Sequence, residues 1–191
     1  MTLILSKKYN PLFDSKARYF IITGGRGSGK SFAVTVFLTL LTMSRGIRVL
    51  FTRFTMTSAH LSIIPEFLEK IGLLGFEETF NINKSEVVNA KNKSDILFRG
   101  IKTSAGNQTA SLKSLQGIST WVLDEAEELV DENIFDTIDL SIREKKVQNR
   151  IILVLNPVTK EHWIYKRFFE DKGIEGGFNG VKDNICYIHS T

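Results

Sequence analysis

The sequence predicts an α/β domain with a mainly parallel central sheet flanked by helices. Three observations predict it. An apolar, β-rich run, Tyr19-Phe20-Ile21-Ile22-Thr23, enters a glycine-rich turn, Gly24 to Ser31, which opens onto the apolar segment Phe32 to Leu41. A second apolar run, Ile118 to Leu123, ends in Asp124-Glu125. Around these, short apolar runs of strand type alternate with segments of helical spacing, the pattern of strand–helix–strand units whose strands are buried on both faces. A length of 191 residues suits one domain spanning 1–191.

Taken in order, residues 1–18 are a polar lead-in containing Tyr9-Asn10-Pro11-Leu12-Phe13. Tyr19–Thr23 is the first strand and Phe32–Leu41 the first helix, ended by Arg45-Gly46. Ile47–Arg53 is a second strand, and strand–helix–strand predicts a parallel pair with a right-handed crossover. Leu61, Ile64, Phe67, Leu68 and Ile71 have helical spacing after a possible Ser58 cap, provided that Pro65 falls in the first turn. Phe80–Asn83, Glu86–Asn89 and Asp95–Arg99 alternate as strands separated by Asn- and Lys-rich turns, a small β-meander inserted in the core. Lys102–Gly117 is a polar loop, either solvated surface or a contact with DNA phosphates or a neighbouring subunit.

The helix after Asp124-Glu125 places Ile134, Phe135, Ile138 and Ile142 on one face and Arg143, Lys145 and Lys146 at an end suited to the dipole. Arg150–Leu155 is a further strand, ending in Asn156-Pro157. Trp163, Tyr165, Phe168 and Phe169 share a short helix with basic residues, where core packing of the rings is favoured over nucleic-acid binding. Gly173–Gly180 is a loop and Asn184–His189 a last strand, with His189 structural.

The chemistry is concentrated in Gly24-Gly25-Arg26-Gly27-Ser28-Gly29-Lys30-Ser31, which reads G-x-x-x-x-G-K-S, the phosphate-binding P-loop. Glycines let the backbone approach a ligand closely, and successive N–H groups at the mouth of a helix form an anion cradle. In such a loop Lys30 reaches the β- and γ-phosphates of ATP and the Ser31 hydroxyl ligates Mg²⁺. Asp124 is the second candidate metal residue, holding Mg²⁺ through its water shell, and Glu125 the candidate base for the attacking water. Glu127 and Glu128 read as solvated or structural. Asn156 is placed as a γ-phosphate sensor or as a turn-forming Asn-Pro. Phe13, Arg18 and Tyr19 are candidates for stacking on adenine, with packing under the sheet as the competing reading.

Composition sets limits. The 25 basic and 21 acidic residues leave a net charge of +4, which permits a polyanionic partner without identifying one. Cys186 is the single cysteine, so no disulfide forms within the chain. The N-terminus lacks a signal-peptide pattern and the longest apolar run is too short for a bilayer, giving a soluble, intracellular expectation with no membrane partner.

With these motifs in hand the sequence resembles the ATPase domain of tailed-phage terminase large subunits, DNA-packaging motors. The resemblance rests on Gly24–Ser31 with Arg26, Leu112-Lys113-Ser114-Leu115-Gln116-Gly117, Trp121 to Glu128, Leu155-Asn156-Pro157 and Trp163-Ile164-Tyr165. It implies an ASCE-type P-loop NTPase core, a Mg²⁺-dependent ATPase that moves double-stranded DNA into a procapsid in the host cytoplasm. It also implies a pentameric ring on the portal protein, with the small terminase subunit as a further partner and a monomer in isolation. Arg26 would stabilise transition-state charge in cis, and a basic residue from a neighbour would do so in trans, with Lys113 first and Arg99 second as candidates. The family's second, nuclease domain is not expected in these residues. Rival readings are a helicase-like or partitioning motor of the same core, a P-loop nucleotide kinase, which Glu125 argues against, and a nucleotide-gated module without catalysis, which the complete site argues against.

Overall fold

The computed structural model describes residues 4–56, 61, 63–103, 106–107, 112 and 115–191. Its strands are β1 (Tyr19–Gly24), β2 (Arg48–Thr55), β3 (Phe80–Ile82), β4 (Glu86–Asn89), β5 (Asp95–Thr103), β6 (Gly106–Asn107), β7 (Thr120–Asp124), β8 (Arg150–Leu155), β9 (Gly180–Lys182) and β10 (Ile185–Ser190). Its helices are α1 (Pro11–Asp14), α2 (Lys30–Leu41), α3 (Ile63–Leu73), α4 (Glu132–Asp139) and α5 (Trp163–Tyr165), which runs on as a π-helical turn over Lys166–Glu170.

All the strands join one sheet in the order β3-β4-β5-β2-β7-β8-β1-β10-β9, with β6 paired to β5. The six central strands, β5 to β10 in that order, are mutually parallel, and β3, β4 and β9 add antiparallel edges. The parallel strands are apolar throughout because both faces are covered. Phe20, Ile22, Val49, Phe51, Val122, Ile152 and Val154 pack beneath α2 and α3. Their neighbours Ile21, Leu50, Trp121, Leu123, Ile151 and Leu153 pack on the other face against Phe135 of α4 and Trp163, Ile164 and Phe168. That two-residue alternation is the strand period.

Several expectations change in detail. β1 and β2 are parallel but not neighbours: β8 and β7 lie between them, each an apolar run able to fill a central place. The third strand of the expected meander, β5, pairs in parallel with β2 and belongs to the core, so only β3 and β4 extend it antiparallel. On α3, Pro65 does sit in the first turn, but Leu68 is exposed while Ile63, Ile64, Phe67 and Ile71 face the sheet; Leu61, also exposed, precedes the helix. Ser58 lies outside the described residues. Helix α4 stops at Asp139, and Arg143, Lys145 and Lys146 fall in the turns beyond it, away from its last carbonyls. β9 was not foreseen; it forms a hairpin with β10 through Asp183 at φ +54°. The aromatic residues around α5 are core, as expected, and no described helix is long and apolar enough to cross a membrane.

Candidate functional site

Parallel strands bring their carboxyl ends to one edge, and there a cleft of about 540 Å³ opens. Its lining includes Arg26 to Phe32 from the loop after β1, Arg53 from β2, Asp124, Glu125, Glu127 and Glu128 after β7, and Asn156 after β8. The strand order explains the convergence: β8 separates β1 from β7, so Asn156 enters between the loop lysine and the two acids.

The loop is built as its glycines require. Gly24, Gly27 and Gly29 have φ of +151°, +75° and +84°, conformations that other residues resist. A Cβ on Gly24 would lie 1.9 Å from the Ser190 carbonyl oxygen, so β10 presses directly under the turn. Two hydroxyls converge on the Ser28 carbonyl, Tyr9 OH at 3.0 Å and Ser190 Oγ at 2.6 Å. Lys30 begins α2 and turns its ammonium back onto the carbonyls of Gly24 (2.6 Å) and Gly25 (2.8 Å), 3.4 Å from Asn156 Oδ1. Burial lowers the Lys30 pKa, and the charges of Glu127 and Asp124 oppose that.

Asp124 ends β7 almost fully buried. Its Oδ2 accepts from Arg53 Nε at 2.8 Å and Nη2 at 2.7 Å. Glu125 has φ +53° and ψ +47°, a left-handed turn that costs a residue with a Cβ about 1–2 kcal/mol. The turn breaks the strand direction and puts the half-exposed carboxylate into the cleft, 3.6 Å from Arg53 Nε. Burial raises its pKa; Arg53 works against the rise, and Asp124, Glu128 and Glu127 add to it. A carboxylate so placed is a better proton acceptor than one in water. For Arg53, burial disfavours the charge, but Asp124, then Glu125 and Glu66, hold the guanidinium above its ordinary value.

Asn156 is tied more tightly than an Asn-Pro turn requires. Its Nδ2 donates to Glu127 Oε1 at 2.6 Å and its backbone N to Glu127 Oε2 at 3.3 Å. His162 Nε2 lies 3.2 Å from the Glu127 carbonyl oxygen. The amide oxygen is thereby turned towards Lys30.

The other candidates separate. Arg18 and Tyr19 stand at the amino end of β1, a strand's length from the loop, and both bind Asp139: Arg18 Nη2 at 2.5 Å and Tyr19 OH at 2.8 Å. The adenine-contact expectation is therefore corrected for both. Phe13 packs edge-on against Phe37 of α2, ring centroids 5.2 Å apart, and does not line the cleft. Arg99 on β5 donates to the carbonyls of Ser85 and Phe98 and also lies outside the cleft. Lys113 lies outside the described residues. His189 meets Thr23 Oγ1 at 2.9 Å and is structural. Sequence reasoning missed Arg53 and Tyr9 and left Glu127 as solvated or structural; for Arg53 the available signal was its position at a strand's carboxyl end.

Comparison with known proteins completes the picture. The model of the phage terminase large subunit family matches residues 16–191. The chain belongs to that family. It is similar to the large terminase from a thermophilic bacteriophage, with 13% identity, a TM-score of 0.74, and 99% of this chain and 46% of that one covered. That terminase has also been solved with ATP-γ-S and with ADP. The N-terminal domain of the DNA packaging ATPase from bacteriophage phi29 matches at 16% identity and TM-score 0.72, over 96% of both chains. The phi29 genome packaging motor assembly matches at 15% identity and TM-score 0.70, over 100% of this chain and 58% of that one. The chain thus spans a little under half the length of the thermophilic phage terminase, and these likenesses establish a shared fold. No curated protein sequence matches it.

Proposed function

We propose that this terminase-family chain is the ATP-hydrolysing motor domain of a DNA-packaging machine. One observation carries the reading: Lys30 and Ser31, Asp124 and Glu125, and Asn156 reach one cleft from three adjacent parallel strands, β1, β8 and β7. A triphosphate needs a cationic cradle, a proton acceptor and a polar group that distinguishes ATP from ADP, and these residues supply them.

The donor set fits Mg²⁺. Ser31 and Asp124 offer hard oxygens, and Asp124 Oδ1 accepts no hydrogen bond among the described residues. Bound there with ATP, the ion would neutralise phosphate charge. The backbone N–H groups of Gly27 to Lys30 and the Lys30 ammonium bind the β- and γ-phosphates once Lys30 leaves its loop carbonyls. Glu125 orients and deprotonates the attacking water. Arg26, exposed on the loop, stabilises charge on the transferring group in cis. Asn156, held by Glu127, senses the γ-phosphate.

Under this reading double-stranded DNA is the translocated substrate, the portal protein and small terminase subunit are partners, the assembly is a pentameric ring and the host cytoplasm is its location; family membership and the genome packaging motor assembly of the phi29 relative support an oligomeric motor acting on viral DNA. The same membership sets aside a helicase-like or partitioning motor. A basic residue given by a neighbouring subunit, Lys113 or Arg99, remains part of this proposal. The test is ATP turnover with and without duplex DNA and purified portal. Hydrolysis stimulated by both supports the motor; hydrolysis indifferent to DNA and portal overturns it.

A further inference from the structure

Arg53 touches both acids at the end of β7 and has no part in the roles above. Its place is set by register: β2 runs parallel to β7 with Thr52 opposite Leu123, so the next residues, Arg53 and Asp124, lie side by side at the cleft. Both are largely withdrawn from water, with side-chain exposures of 22% and 6%. Simple charge neutralisation would need only one donor. Here two N–H groups of a rigid planar fork, at 2.8 and 2.7 Å, meet the same oxygen, Oδ2. That grip pins Oδ2 against the guanidinium and leaves Oδ1 outside it. The same guanidinium stands against Glu125, whose strained turn gives it few other holds.

We propose that Arg53 is a positioning residue: by holding Oδ2 it presents Oδ1 of Asp124 to the divalent cation, and it steadies Glu125 at the cleft wall. This rests on the ATPase reading of the same site. Arg53 would act through the two acids without touching substrate. Outer groups that orient a metal residue are worth about 10–100-fold in metal affinity or activity.

Arg53→Lys separates orientation from charge, since it keeps the cation and loses the fork. The experiment titrates Mn²⁺ into the protein with ADP, read by electron paramagnetic resonance, beside steady-state ATP hydrolysis. The expected result is Mn²⁺ binding weaker by about 10–100-fold, kcat reduced by a similar factor, and KM for ATP within about twofold. Arg53→Gln, which drops the charge and keeps amide donors, should also weaken Mn²⁺ binding, and serves if the lysine variant fails to fold. Tighter Mn²⁺ binding in either variant would mean that Arg53 competes with the cation, and overturns the proposal. A lysine variant with lowered Tm but unchanged Mn²⁺ affinity and kcat would show packing alone, and also overturns it. Wild-type protein that binds neither Mn²⁺ nor ADP brings down the site reading and this inference together; an active wild type with an unaltered Arg53→Lys brings down only the inference.

Discussion

The two ends of the parallel strands use the same residue types to opposite effect. At the amino ends, Arg18 pairs with Asp139 and Arg48 with Asp95, each arginine opening or preceding a strand. Asp139 also receives Tyr19 OH, and Arg167 reaches it from the turn after α5, so the pair binds β1, α4 and α5 together. Charge there is matched nearly one to one, and the paired residues Arg18, Arg48, Asp95 and Asp139 are themselves outside the left-handed region. At the carboxyl ends, Asp124, Glu125, Glu127 and Glu128 share a cleft with Arg26, Lys30 and Arg53, and Glu125 sits in a left-handed turn. Crowding like charges and straining the backbone cost stability and are kept only where the arrangement is needed. An Arg–Asp contact therefore marks function by its surroundings and not by its chemistry.

That contrast can be broken by experiment. The largest effects should come from Glu125 and Lys30. Glu125→Gln keeps shape but accepts no proton: ATP turnover should fall by about 10²–10⁴-fold with Mg-ATP binding retained. Near wild-type turnover would move the base to Glu127 or Glu128. Lys30→Ala should abolish hydrolysis and weaken ATP binding measured by calorimetry, because it removes a cation of the cradle. Glu127→Gln should be intermediate, lowering kcat by about 10-fold through a loosened Asn156 amide, in line with other supporting hydrogen bonds; an unchanged kcat would show that Asn156 needs no holder. At the opposite end the ranking reverses. Asp139→Asn should cost about 1–3 kcal/mol in urea unfolding, the range for leaving a partly buried partner unpaired, and leave KM and kcat unchanged. Loss of turnover without loss of stability in that variant would join the two ends functionally. The smallest effect concerns Cys186, whose buried thiol is pushed up to about 11. Native protein should not react with a thiol reagent at pH 8, and fast labelling would show that the sheet opens.

How much of this was legible in the sequence follows the range of the interactions. The glycine loop, the strand ending in Asp124-Glu125 and the alternating core were readable because each is a local pattern, set by spacing within one element. Glu127 reads as solvated or structural, and only the approach of β8, which brings Asn156 within 2.6 Å, decides for the second. Arg53 reads as a strand end until the pairing of β2 with β7 places it on Asp124. Arg18 and Tyr19 lie close to the loop in sequence and far from it in space, because an extended strand separates them. The covering of α3 departs from the expected stripe at Leu68 because helical spacing gives a stripe but not its width, and Leu61 falls ahead of the helix.

The support beneath the loop has a consequence for how the chain folds. β1 is laid between β8 and β10, partners more than 120 residues downstream, and Gly24 keeps its shape against Ser190. Such distant pairings close slowly. The nucleotide cradle therefore rests on strands from both ends of the chain, and the support under its backbone is complete only when β8 and β10 are in place. Ligand at about 100 times its dissociation constant would then add about 2.7 kcal/mol to the finished domain and to nothing before it.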